Sequence, residues 1–264
     1  VIVSLGNLSR DLFPGPGGAR EGPGGGPFHA ARALRHLDVR ARIYARCAPA
    51  DRAALVLATA RLGTPVEHVP GVRTASFRIL ADGPRRAMEV VAVGDAWQPD
   101  EVPALPPAAR WVHVAPLLRS DFPPATLARL ARGRRLALDG QGLVRRPEPG
   151  PLRLDADYDP ALLAHVAVLK LAEEEAEVLG DPAGLPVAEV IVTRGARGAT
   201  VHAGGRARDV PAVAVEAEPT GAGDAFAVAY VAARSHGLPP VAAARHATGV
   251  VGEVLAETRR AAER

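Results

Sequence analysis

The chain has 264 residues, a formal net charge of +3, 48% apolar residues and one cysteine, Cys47. That length and apolar share fit one large globular domain with a sizeable core, and a lone cysteine excludes an intrachain disulfide and a cysteine-built zinc site and suits a reducing, cytoplasmic setting. The basic residues are scattered in clusters no longer than Arg85-Arg86, Arg134-Arg135 and Arg145-Arg146, and no apolar run approaches membrane-spanning length, so neither nucleic acid nor membrane is an expected partner.

Val1–Leu5 is an apolar run too short for a signal-peptide core and reads as a buried first strand. Gly6-Asn7 and Asp11 follow it. The Gly/Pro-rich segment from Pro14 to Gly26 reads as loop. It ends in Pro27, a favoured first helical position, after which Phe28, Ala31, Leu34 and Leu37 recur at helical spacing. Val39–Ala45 alternates as a strand, Ala50–Leu62 reads as a helix and Val66–Val69 as a short strand. Thr74–Leu80 and Ala87–Val93 flank Asp82-Gly83-Pro84, a hairpin signal embedded in an α/β pattern. This suggests a small sheet standing off the main one, around residues 74–93.

Trp111–Ala115 reads as a strand, Pro123–Ala131 as a helix, and Arg135–Asp139 as a strand ending in a carboxylate. The turn Asp139-Gly-Gln141-Gly142 then lies at a strand's carboxyl end, where open α/β sheets bind ligands, so Asp139 and Gln141 are candidates to line a cleft. Val166–Leu169 is a strand, Glu173–Leu179 a helix, Val190–Thr193 a strand, and Gly198–His202 opens a strand pair through Gly204-Gly205. Helices over Asp224–Arg234 and Pro239–Leu255 close the chain. Strands alternating with helices, without internal repeat or linker, predict a single three-layer αβα domain over residues 1–264 with a mostly parallel sheet.

The stretch with the most chemistry is Thr220-Gly221-Ala222-Gly223-Asp224-Ala-Phe226. Small residues leave backbone N–H groups unobstructed, and the first turn of a helix adds unpaired donors and the positive end of the macrodipole. Gly221, Ala222 and Gly223 therefore form an anion hole in outline. Asp224 inside it is either an N-cap or a base that takes a proton while the pocket holds developing negative charge.

In order along the chain, four such segments resemble the ribokinase-like (PfkB-type) carbohydrate kinases. They are Gly24-Gly25 with His29, Leu169-Lys170 through Glu175 to Gly180, Val192-Thr193-Arg-Gly195 through Gly198, and the Thr220–Phe226 stretch. The resemblance covers nearly the whole chain. It implies phosphoryl transfer from ATP, with Mg2+, to a hydroxyl of a small sugar or polyol. Asp224 is then the general base, Gly221, Ala222 and Gly223 the anion hole, and Glu175 the glutamate linked to magnesium. Lys170, Thr193 and Gly195 fall on the nucleotide side. Asn7, Asp11, Gly24, Gly25 and His29 fall on the substrate side. The resemblance also allows a homodimer through the hairpin lid.

Four of these residues have a plainer alternative. Glu173-Glu174-Glu175 also reads as a solvated acidic face, Asn7 and Asp11 as turn residues, and His29 as a histidine capped in a first helical turn. The sequence departs from the family pattern at His29 and Ala172, where asparagine is usual. It departs again at Glu218-Pro219, where the family's Asp-Thr belongs to a monovalent-cation site, so potassium dependence is expected to be weak or absent. Two rival functions stay open. One is a nucleoside kinase of the same family, for which Phe13, Phe28, Phe77 and Trp97 offer the only aromatic surface on the substrate side. The other is a non-catalytic ligand-binding protein on the same scaffold.

Overall fold

The computed structural model describes residues 1–15, 18–82, 85–215 and 220–263. The first strand, β1 (Ile2–Asn7), is buried at every position, as a strand covered on both faces must be. The chain continues into β2 (Ser9–Phe13), returns as β3 (Arg20–Gly24) and enters α1 (Gly26–Leu34). Next come β4 (Ala41–Cys47), α2 (Arg52–Ala60), β5 (Val66–Pro70) and the pair β6 (Ala75–Asp82) and β7 (Arg85–Ala92). Then follow β8 (Trp111–Ala115), α3 (Pro124–Leu130), β9 (Arg135–Asp139), the single-turn α4 (Gln141–Val144) and the two-residue β10 (Gly150–Pro151). The last third runs β11 (Val166–Ala172), α5 (Glu173–Leu179), β12 (Glu189–Thr193), β13 (Ala199–Ala203), β14 (Arg206–Val210), α6 (Ala222–Ser235) and α7 (Pro240–Ala262).

The main sheet has nine strands in the order β14-β13-β12-β11-β9-β8-β1-β4-β5. Every neighbouring pair from β12 to β5 is parallel, and β13 and β14 add antiparallel pairs at one edge. The period-two alternation of the strands feeds two cores. Ile2, Ile43, Ala137, Val168 and Ile191 pack with α1, α2, α6 and α7. Val3, Tyr44, Val112, Leu136, Leu138 and Leu169 pack with α3 and α5. This is the three-layer arrangement the alternating pattern predicts. Helix α6 is buried without a break from Ala225 to Ala233. Its alanines let α1 and α7 approach closely, which brings its first turn against the start of α1.

A second sheet stands apart, in the order β10-β7-β6-β2-β3. Here the sequence reading needs correction: the small sheet is more than the hairpin around 74–93. Strand β2 pairs parallel with β6, β3 antiparallel with β2, and β10 antiparallel with β7. Residues Arg20–Gly24, read as loop, are therefore an edge strand. Their Arg-Glu-Gly-Pro-Gly sequence hides it, because an edge strand tolerates proline and needs no apolar alternation. Register places Ser9 beside Ala75 and Asp11 beside Phe77, on one buried face. That face packs Ala75, Phe77 and Val90 against Leu117 and Leu118 of the main body. Gly83-Pro84, the centre of the expected hairpin turn, lies outside the described residues.

Candidate active site

The carboxyl ends of β1, β8, β9 and β11 meet the starts of α1 and α6. Gly221 has φ +77°, and a Cβ there would overlap the His29 imidazole, so the position demands glycine twice over. Helix α6 begins at Ala222, and its N-cap, Gly221, has no side chain to offer the first N–H donors. Asp224 is the third residue of the helix, so it is not the N-cap; that role falls to Gly221. Gln141 Nε2 donates to Asp224 Oδ1 at 3.3 Å. The same oxygen faces Gly26 of α1, where a Cβ would stand 3.2 Å from it. The Asp224 side chain keeps a narrow opening to solvent but is deeply surrounded. Burial, then the Asp139 charge, push its carboxyl up to about 6, against the opposing pull of Lys170, His113 and Arg145.

Beneath the glycine turn lies a fully packed polar chain. Lys170 Nζ stands 3.2 Å from Asp139 Oδ1, and His113 Nε2 lies 3.0 Å from Asp139 Oδ2. His113 Nδ1 lies 3.0 Å from Ser4 Oγ. Burial opposes a charge on Asp139, but Lys170 and His113 outweigh it and hold its carboxyl below the usual range. An ionised Asp139 only accepts, so Nε2 of His113 carries the hydrogen and donates. Burial also works against the Lys170 ammonium, and Asp139, Glu175 and Asp224 reverse that and raise its pKa. Its ammonium lies under the Gly221–Gly223 turn, whereas the sequence reading grouped Lys170 with the nucleotide-side residues Thr193 and Gly195.

On the second sheet, Asp11 is 6% exposed and accepts from Ser9 Oγ at 2.7 Å. A Cβ on Gly24 would overlap its carboxylate, so the glycine lets that carboxylate lie flat on β3. Asn7 turns its amide into the protein. Its Oδ1 accepts from Trp97 Nε1 at 2.8 Å and its Nδ2 donates to the Asp95 carbonyl at 3.0 Å. Gly25, with φ +92°, passes close to the Asn7 carbonyl. His29 is buried behind Gly221, with Phe28 edge-on at 5.4 Å.

The acidic run at the start of α5 divides. Glu173 pairs with Arg197 at the surface, while Glu175 is 3% exposed and accepts from the Ala172 N–H at 2.8 Å. The solvated-face alternative therefore fails for Glu175. Thr193 donates to the Leu171 carbonyl at 3.1 Å, and Gly195, φ +54°, opens a 3-10 turn with free space around it. Among the described residues no contact joins either to Asp224. Glu218-Pro219, the expected departure at a cation site, lies outside the described residues.

Ser4 and His113 escaped the sequence reading. A lone histidine inside the apolar strand Trp111–Ala115 was the available signal, since a buried polar side chain needs a partner. Arg145 also passed as one of a scattered pair, yet it follows α4 closely enough to act electrostatically on both Asp224 and the buried Asp121. Of the aromatics, Trp97 is wholly buried and stacked on Phe122 at 5.6 Å, Phe77 is buried, and Phe13 lies under the Arg20 guanidinium.

A doubly wound sheet with an uncapped glycine-led helix start, a carboxylate in its first turn and a second sheet beside it defines a fold of the ribokinase type. The chain belongs to the pfkB family of carbohydrate kinases, which it matches over residues 19–259. It is 30% identical over 229 residues to the inositol 3-kinase of Oryza sativa subsp. japonica, covering 79% of this chain and 57% of that protein. It thus spans little more than half the length of that relative. A pyrophosphate-dependent kinase in the ribokinase family, solved with a pyrophosphate analog and myo-inositol, superposes with a TM-score of 0.83 at 21% identity, covering 97% of this chain and 95% of that one. The fructokinase of Vibrio cholerae O395 superposes with a TM-score of 0.71 at 22% identity, covering 98% and 99%. Among the described residues no helix is long and apolar enough to cross a membrane.

Proposed function

We propose that this protein transfers a phosphoryl group from ATP to one hydroxyl of a small polyol or sugar, with myo-inositol the first acceptor to test. The observation that carries the reading is Asp224, a buried carboxylate in the first turn of a glycine-led helix, beside Gln141 and with its pKa raised to about 6. Phosphoryl transfer needs positioning and charge stabilisation more than covalent chemistry. The N–H groups of the Gly221–Gly223 turn face the incoming phosphoryl group. Asp224 accepts the proton of the attacking hydroxyl, while Gln141 holds its Oδ1. Asp11 and its neighbours orient the acceptor, and the second sheet acts as lid on a single kinase domain. Asn7 supports this indirectly, by tying Trp97 and the Asp95 carbonyl to the end of β1.

Among the described residues no three-carboxylate or histidine cluster is arranged to hold a metal ion. Magnesium would keep most of its water and would arrive with the donor phosphates. Glu175, with one oxygen fixed by Ala172, is the residue to meet that water shell. When bound with the donor, the ion would neutralise part of its phosphate charge.

The inositol acceptor is supported by the rice relative and by the myo-inositol complex of the structural neighbour. That neighbour's pyrophosphate dependence makes pyrophosphate the competing donor. A nucleoside acceptor has less support, because Trp97 and Phe77 are buried in packing and leave little aromatic surface for a base. The test is phosphorylated-product detection over a grid of sugars, cyclic polyols and nucleosides, each with ATP and with pyrophosphate. Turnover of myo-inositol or another polyol with ATP supports the proposal. Turnover confined to nucleosides, or to pyrophosphate, replaces acceptor or donor respectively. Ligand binding with no acceptor-dependent donor consumption returns the protein to the binding-only alternative.

A further inference from the structure

Lys170 is the only lysine in the chain and is 7% exposed. It leaves β11 toward α6. A Cβ built on Gly223 would stand 3.0 Å from its Nζ, so the ammonium lies directly beneath the glycine turn. On its other side Asp139 holds it at 3.2 Å, and Asp139 is itself anchored through His113 to Ser4. Buried ion pairs are weak sources of stability, since apolar side chains of similar volume replace them at little cost. Set under an uncapped helix start, however, a fixed charge acts on whatever negative group occupies the space above.

We propose that Lys170 is a positioning residue: clamped by Asp139, it supplies a full positive charge from behind the Gly221–Gly223 turn, favouring both an ionised Asp224 and an anion in the turn. Its catalytic meaning rests on the kinase reading above; its electrostatic content does not. The groups facing Asp224 come from every element packed on it. They are Lys170 on β11, Asp139 on β9, His113 on β8, Gln141 on α4 and Arg145 just beyond it, with His29 of α1 behind Gly221 and Glu175 of α5 acting on Lys170. The two members of the pair act on Asp224 with opposite sign: Asp139 raises its proton affinity and Lys170 lowers it. Loss of either one therefore moves Asp224 in a direction of its own, which general structural damage would not do.

The experiment follows the Asp224 carboxylate resonance in protein labelled with 13C-aspartate, assigned by its absence in Asp224→Asn, across the acid to neutral range. In Lys170→Met the midpoint is expected to rise by about 1–3 pH units, the usual reach of one nearby opposite charge. In Asp139→Asn it falls, and in Lys170→Arg, which keeps the charge, it stays near the wild-type value. Folding of each variant is checked by its thermal melt. If Lys170→Met does not fold, the fall in Asp139→Asn with no change in Lys170→Arg is the expected result. A stationary midpoint, or movement in the same direction in both charge-removing variants, overturns the proposal. The acid limb of kcat should move with the resonance while the acceptor KM holds. A resonance that moves as expected in a protein that phosphorylates nothing defeats the kinase reading alone. Turnover with a stationary resonance defeats the role of Lys170 alone.

Discussion

The two glycine-led helix starts, α1 and α6, pack against each other and are built differently. Each follows a glycine with positive φ, Gly25 at +92° and Gly221 at +77°, and neither carries a side-chain cap. Each glycine is also pinned by a neighbour, the Asn7 carbonyl behind Gly25 and the His29 ring behind Gly221. The first turn of α1 holds no acid, whereas that of α6 holds Asp224. A helix start favours a nearby negative charge, yet burial and Asp139 push the Asp224 carboxyl up. Similar glycine geometry thus serves two ends. In α1 it brings backbone against the Asn7 carbonyl, and in α6 it makes room for a carboxylate on which Asp139 and Lys170 act with opposite sign.

The largest expected effect separates the two starts at once. Asp224→Asn should lower kcat by about 10²–10⁴ while ligand binding persists, measured with purified protein at saturating substrates. Because the base must be ionised, wild-type kcat should also fall as pH drops through about 6, and equal turnover in the variant would remove Asp224 from the chemistry. Stability should move the other way. Burial pushes the folded carboxyl up to about 6, above the usual 3.8 of a free aspartate, so the folded state binds the proton more tightly. Stability is fully present below the lower value and falls as pH rises through this window. At neutral pH Asp224→Asn should therefore have a higher melting temperature than wild type.

Next in size, Gly221→Ala and Gly25→Ala should each cost more stability than the usual penalty of about 1–3 kcal/mol for a side chain at positive φ, because each Cβ would also overlap a neighbour. They should differ in kinetics. Gly221→Ala lowers kcat, while Gly25→Ala acts through the acceptor KM. Loss of the same parameter in both would erase the distinction between the two starts.

Asp11→Ala sharpens the acceptor side. An acceptor hydroxyl left without its partner costs about 1–3 kcal/mol, so the acceptor KM should rise roughly 5–150-fold with the donor KM unchanged. Glu175→Gln should shift the magnesium midpoint upward in a titration of activity without abolishing donor binding. An unmoved midpoint would reduce Glu175 to a cap on Ala172. The smallest effect is expected from exchanging a bulky organic cation for potassium, which should leave the rate essentially unchanged. A several-fold gain would mean that Glu218-Pro219 does not disable a cation site.

Much of this site was legible residue by residue. Thr220–Asp224 reads as an anion-binding helix start from local chemistry alone, and the structure places Asp224 there, as the third residue of α6 rather than its cap. Glu175 was undecidable between solvent and site, because three consecutive acids look alike until one is buried. Asn7 read as an acceptor contact, but its amide is taken by Trp97 and the Asp95 carbonyl, some ninety residues away in sequence. Arg20–Gly24 read as loop, because an edge strand of glycine and proline carries no periodicity.

Hydrophobic periodicity and turn chemistry act over a few residues. By themselves they determined the alternation of strands and helices, the parallel sheet that follows from it, and the glycine-led start of α6. The second sheet needed β2, β3 and β10 to find β6 and β7, and the charge beneath the anion turn needed Ser4, His113, Asp139 and Lys170 to converge from four strands. Ser4 and His113 lie 109 positions apart, and no local pattern records that they touch. Only tertiary structure decided those meetings, because a buried polar group is stable only where packing delivers its partner.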